Sequence, residues 1–139
     1  DDGINTEDYR RADLILVGVS RIGKTPVCLY LAMHFGLFCA NYPLTVNDLA
    51  GEQLPSPLQP HRARIFGLTI DPDRLHQIRQ ERRPGSRYAE LQQCRDEVQR
   101  AESLFRQHAV PFISTTGVSI EEIGTSILQR TGVRRELLG

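Results

Sequence analysis

Lys24 and Thr25 close an eight-residue run, Gly18-Val19-Ser20-Arg21-Ile22-Gly23-Lys24-Thr25, that matches G-x-x-x-x-G-K-[ST] at every fixed position. These residue types at this spacing point to phosphate chemistry. The two glycines let the main chain curl so that successive amide N–H groups converge on an anion. A helix starting at the lysine adds the positive end of its dipole. Lys24 supplies a mobile cation for the terminal phosphate, and the Thr25 hydroxyl is a ligand for Mg2+. Arg21, inside the loop, is a candidate to touch phosphate or its acceptor. Glycine-rich turns without a ligand also join strands to helices. They rarely need both glycines at this spacing followed by Lys-Thr.

The flanking elements are those the loop requires. Leu14-Ile15-Leu16-Val17 reads as a buried strand, and Val27 to Met33 as a helix running to about Phe35 and stopping at Gly36. Pro26 falls in the first helical turn, where a missing N–H costs little. Residues 1–13 are polar, with a short helix or turn around Thr6 to Arg11. Leu37 to Ala40 reads as a second strand, and Asn41 to Arg62, with Pro43, Pro55, Pro57 and Pro60, as mostly loop. Ile65 to Ile70 is a third strand, followed by a helix with Asp71 as N-cap and Pro72 at its first position. The segment from Arg82 to Arg87 breaks that helix. Tyr88 to His108 is a long helix whose seam (Leu91, Cys94, Val98, Ala101, Phe105, His108) fits packing on the domain's own sheet better than a dimer contact. Val110 to Ser114 is a further strand, and Ser119-Ile120-Glu121-Glu122 is a capping box opening a helix to about Arg130. This order predicts an α/β protein: a P-loop kinase-like three-layer fold, a parallel sheet with helices on both faces, formed by a single domain over residues 1–139.

Composition narrows the partners. Lys+Arg and Asp+Glu both number 17, giving zero formal charge, which argues against bulk electrostatic capture of nucleic acid or of an anionic membrane. Hydrophobic residues at 40% and charged residues at 24% suit a globular domain with a real core. No apolar run approaches the roughly 18 residues needed to span a bilayer. Cys28, Cys39 and Cys94 form no C-x-x-C pair, so reduced thiols in a cytoplasmic protein are expected. The start at Asp1-Asp2-Gly3, without Met, leads us to expect a fragment lacking an N-terminal domain.

Other residues carry two readings. Asp71, after a strand, is either a second carboxylate associated with Mg2+ or a plain helix cap. Arg82, Arg83 and Arg87 either close over phosphates or form a solvated turn paired with Glu81 and Glu90. Ser114-Thr115-Thr116-Gly117 follows a strand end and either cradles a nucleotide base or turns into the Ser119 cap. A carboxylate from Asp1 or Asp2 brought near the terminal phosphate would be a general base, although an exposed turn explains the pair as well. The four histidines share no ligand spacing.

The stretch Ala12 to Pro26 resembles the family of bacterial phosphoenolpyruvate synthase regulatory proteins, which includes the plant regulator of pyruvate, phosphate dikinase. So do Ala40-Asn41-Tyr42-Pro43, Phe66 to Pro72, Glu81-Arg82-Arg83, Ser86 to Ala89, Leu91 to Arg95 and Ser119 to Ile123. Ile22 departs from the Thr or Cys common at that variable slot. The resemblance implies a bifunctional enzyme. It would phosphorylate a threonine of phosphoenolpyruvate synthase with ADP as donor, and remove that phosphate with inorganic phosphate, releasing pyrophosphate. It also implies a homodimer, and an acid/base aspartate that falls on Asp2. Two alternatives stay open on the residues alone: an ATP-dependent small-molecule kinase, and a non-catalytic nucleotide-sensing module.

Overall fold

The computed structural model describes residues 6–133. Strand β1 (Leu14–Gly18) is buried at every position, which is why its sequence is apolar without alternation. It pairs in parallel with β2 (Cys39–Pro43) on one side and β3 (Ile65–Thr69) on the other; β4 (Phe112–Ser114) then joins β3. The strand order is therefore β2-β1-β3-β4, all parallel.

Parallel neighbours need crossovers, and the helices supply them. Helix α1 (Thr6–Arg11) precedes β1, and α2 (Lys24–Phe35) links β1 to β2. Helices α3 (Val46–Ala50), α4 (Pro72–Arg82) and α5 (Leu91–Gln107) lie in the later connections, and α6 (Ile120–Thr131) follows β4. The steps β1 to β2 and β3 to β4 run in opposite directions across the sheet. Right-handed crossovers thus put α2 on one face and α4–α5 on the other. The packing agrees: α2 meets α6, while α5 meets α3, α4 and β3. The expected α/β architecture is the one observed.

Three boundaries differ from the sequence reading. The segment from Asn41 is not mostly loop: β2 extends to Pro43, and Thr45 opens α3 with a reciprocal bond to Asp48, an Asp version of the capping box. The long helix starts at Leu91, because Arg87–Ala89 forms a separate 3-10 turn capped by Ser86. The last strand starts at Phe112; Pro111 just before it has no N–H, and its carbonyl accepts from Gly67.

The seam of α5 faces the sheet. Cys94, Val98, Ala101, Leu104 and Phe105 are buried, and Phe105 stacks 5.3 Å from Phe112. His108, at the end of the seam, instead bonds through its ring to the Glu52 carbonyl at 2.7 Å. The three cysteines are free and buried. Among the described residues no helix is long and apolar enough to cross a membrane.

Candidate functional site

The loop between β1 and α2 is shaped by its glycines. A Cβ on Gly18 would lie 2.5 Å from Ile22 Cδ1 and 2.7 Å from the Leu68 carbonyl oxygen, so only glycine lets the loop leave the sheet here. Gly23 has φ of 100° and forms the N-cap of α2. Arg21 also sits in the left-handed region, at φ 72°. That conformation costs a residue with a side chain on the order of 1–2 kcal/mol. Val19 and Ile22 point into the core, which leaves Ser20, Arg21, Gly23 and Thr25 at the more accessible side.

Lys24 is the first residue of α2 and is only 1% exposed. Its Nζ donates to the Val19 carbonyl at 2.7 Å, folding the side chain back over the loop. Burial pulls its pKa down from the usual lysine range to about 7; the nearby Cys28 thiol opposes this, and the positive charges of Arg79 and Arg21 add to it. An arriving phosphate would reverse the balance and favour the ammonium form.

A second set of residues braces the loop from outside. Arg79 on α4 is fully buried and makes a bidentate pair with Glu97 on α5, at 3.0 and 3.1 Å. The same guanidinium donates to the Tyr88 carbonyl at 3.1 Å and to the Ser20 carbonyl at 3.3 Å, and stacks 4.1 Å from the Tyr88 ring. The Tyr88 hydroxyl bonds Ser20 Oγ at 2.6 Å. Ser20 is thus held at both its carbonyl and its hydroxyl. Sequence reasoning passed over Arg79, Glu97 and Tyr88. The signal was there: Arg79 shares the buried face of α4 with Leu75, four residues back, and Glu97 lies on the Cys94–Ala101 face of α5. One cation and one anion, each on an apolar face, fit an internal pair.

Two cavities flank the loop. The larger, about 610 Å3, is lined by Arg21, Gly23, Pro26 and Val27 on the loop side. Its lining also includes Ile70, Arg74, Ile78 and Ile123, with the segment from Thr115 to Ile120. The smaller, about 380 Å3, is lined by Arg21, Gly23, Lys24, Thr25, Pro26, Ile78 and Arg82. The turn after β4 is tied to the one after β3, because Thr116 Oγ1 accepts from the Asp71 N–H at 2.8 Å.

The candidate residues divide accordingly. Arg21, Gly23, Lys24 and Thr25 come together at the smaller cavity, and Thr115, Thr116 and Gly117 line the larger one with Arg21 and Gly23. The three arginines of the helix break separate. Arg82 reaches the smaller cavity, Arg83 lies 5.7 Å from the Tyr88 ring, and Arg87 lines a different groove beside Asp96 and Glu97. None of the three is in an ion pair with Glu81 or Glu90. Asp71 holds the N-cap position of α4, but its side chain makes no capping bond. Asp2 lies outside the described residues. No group of three His, Cys, Asp or Glu side chains able to hold a metal exists among the described residues.

Comparison with known proteins finds relatives over nearly the whole chain. The kinase/pyrophosphorylase family model matches residues 1–128. Over 135 residues the chain is 62% identical to a phosphoenolpyruvate synthase regulatory protein of Laribacter hongkongensis, covering 97% of this chain and 49% of that protein. The corresponding protein of Halorhodospira halophila is 58% identical over 137 residues, covering 99% and 50%. The chain spans about half the length of the curated relatives it matches. Among solved structures it is similar in fold to the YorR protein of Bacillus subtilis, crystallised with phosphorylated GDP, with a TM-score of 0.56 over 86% of this chain and 95% of that one at 13% identity. A match that runs from Asp1 through the loop and both cavities to residue 128 decides the point: this chain belongs to the kinase/pyrophosphorylase family.

Proposed function

We propose that this chain is the nucleotide-binding part of a bifunctional enzyme that regulates phosphoenolpyruvate synthase. In one direction it transfers the β-phosphate of ADP to a threonine of the synthase. In the other, inorganic phosphate attacks the phosphothreonine and leaves as pyrophosphate. The observation that carries the reading is Lys24, a nearly fully buried lysine within a glycine-shaped amide loop. Nothing in the packing of a core calls for a buried ammonium at the head of a helix; a polyanion does.

The larger cavity offers room for the nucleoside, with aliphatic walls for a base and threonine hydroxyls for its polar edges. The diphosphate then lies on the loop. Its β-phosphate faces Lys24 and the amides, which oppose the charge that grows on the transferred group and on the departing AMP. Mg2+, when bound at Thr25, would offset further phosphate charge. Asp2, placed by family resemblance, is the proposed base for the threonine hydroxyl. Transfer to the threonine oxygen releases AMP and one proton. In the return step the incoming hydrogenphosphate forms a new P–O bond, the bond to threonine breaks, and the proton passes to the threonine oxygen. One cradle serves both, because the phosphoryl group that leaves ADP is the one later held on threonine, and free phosphate then stands where the α-phosphate of the departing AMP stood.

The test uses the full-length protein with purified synthase and ADP labelled in the β-phosphate. Label on a synthase threonine is expected, with AMP as co-product, and Lys24→Ala should reduce labelling by about two orders of magnitude or more. Labelling from ATP but not from ADP, with nucleotide interconversion blocked, would refute the donor assignment.

A further inference from the structure

Cys28 and Cys39 belong neither to the loop nor to the brace behind it, yet their sulfurs lie 3.0 Å apart and share a hydrogen bond. Both thiols are free. The two elements that carry them pack together: Cys28 lies in the second turn of α2, and Cys39 opens β2, an edge strand of the sheet among the described residues. Each keeps a sliver of surface, 8% and 9%, whereas Cys94 is sealed at 0%. Cys28 follows Lys24 by one helical turn, and the two interact electrostatically, so a negative sulfur there meets a nearby ammonium. Cys39 differs. Its hydrogen bond with Cys28, and then burial, push its thiol well above the ordinary cysteine range, so it keeps its proton.

We infer that Cys28 and Cys39 are a thiol–disulfide pair, closed by a hydroperoxide and opened by a small dithiol, that pins α2 to β2. The steps balance. The Cys28 thiolate attacks the O–O bond of hydrogen peroxide, forming a sulfenic acid and releasing hydroxide. The Cys39 sulfur then displaces that oxygen, which takes up the Cys39 proton and leaves as water while the S–S bond forms. The peroxide gains two electrons and the two sulfurs together lose two. A dithiol reopens the bond by exchange. Closing the bond draws the sulfurs together by about 1 Å. The phosphate cradle lies between the joined elements. Lys24 and Thr25 head α2, and Leu44, the residue after β2, donates its N–H to the Gly18 carbonyl at 2.8 Å. A shift of that size at the cradle is enough to slow transfer by about tenfold or more. This consequence, unlike the bond itself, rests on the proposed function.

The experiment takes the full-length protein, fully reduced, treats it with hydrogen peroxide, and alkylates the remaining thiols after denaturation. Trypsin leaves both cysteines in one peptide, Thr25 to Arg62. That peptide should resist alkylation and weigh two hydrogens less, while Cys94 is alkylated. Transfer from ADP should fall by about tenfold or more and return with dithiothreitol. Cys28→Ala should keep its transfer rate through the same treatment. In Cys39→Ala the sulfenic acid should persist on Cys28, where dimedone captures it. Alkylation of both Cys28 and Cys39 after peroxide would overturn the pair. Linkage without a fall in transfer would overturn its action on the cradle, and so would an equal fall in Cys28→Ala. If the reduced protein transfers no phosphate at all, it is the proposed function that fails, and the peptide mass still decides the bond.

Discussion

Arg79 donates to the Ser20 carbonyl across 59 positions of sequence, joining the core of α4 and α5 to the loop between β1 and α2. The guanidinium is fully buried and satisfied on one side by Glu97. Arg79→Ala should therefore leave Glu97 as an unpaired buried charge and cost roughly 3–5 kcal/mol of stability. The double variant Arg79→Met, Glu97→Met should recover much of that loss in urea unfolding. It should not recover turnover, because Ser20 would still lack its donor. Equal recovery of both would show that the pair has no hold on the loop.

Lys24 makes stability depend on pH with a definite sign. Its pKa falls from 10.5 to about 7 on folding, mainly through burial. Below pH 7 the ligand-free fold bears the whole cost of a buried ammonium. Between pH 7 and 10.5 the unfolded chain binds the extra proton, so stability rises with pH as that proton becomes easier to lose. Lys24→Met should unfold at a higher temperature than wild type at pH 6, and the gap should shrink towards pH 10. The gain is on the order of 3–5 kcal/mol at its largest. A gap that widens with pH would contradict the burial of the charge. ADP should also bind with proton uptake at pH 8, measurable as a dependence of calorimetric heat on buffer ionisation enthalpy.

Gly18 and Gly23 should fail for different reasons when replaced by alanine. At Gly18 the new methyl meets the Leu68 carbonyl and Ile22, so the sheet itself must shift, at roughly 1–3 kcal/mol or more. At Gly23 the space is open and only the backbone conformation resists, at about 1–2 kcal/mol. Thermal unfolding should rank Gly18→Ala below Gly23→Ala. The reverse order would mean that the loop does not pack against β3 as described.

The larger cavity, proposed to take the nucleoside, is tested by a charge on its rim. Ile120 lines it and is 39% exposed, so Ile120→Glu should fold. It should weaken ADP by about tenfold while leaving pyrophosphate binding unchanged, because only ADP carries a base. Equal weakening of both would move the base elsewhere.

The glycine-flanked turn after β1 and the parallel sheet were readable because both rest on local pattern: an apolar run without alternation, a fixed glycine spacing, a capping box at Ser119. The short helix after Thr45 was not, because five residues of α3 give too little periodicity and the prolines around them signal loop. The brace of Arg79, Glu97 and Tyr88 escaped for another reason. Its partners are 9 to 68 residues apart, and a charged residue in a helix ordinarily means a solvated face. The grouping of Arg82, Arg83 and Arg87 was sound in sequence and wrong in space, because a helix end and a 3-10 turn send them in three directions.

The bond from Lys24 Nζ to Val19 means that the cradle is pre-organised by its own main chain. A guest does not have to order a slack segment; it has to draw an ammonium off a carbonyl oxygen. On the proposed reading that exchange should favour dianions over monovalent ions, so chloride and simple carboxylates should compete poorly with phosphate.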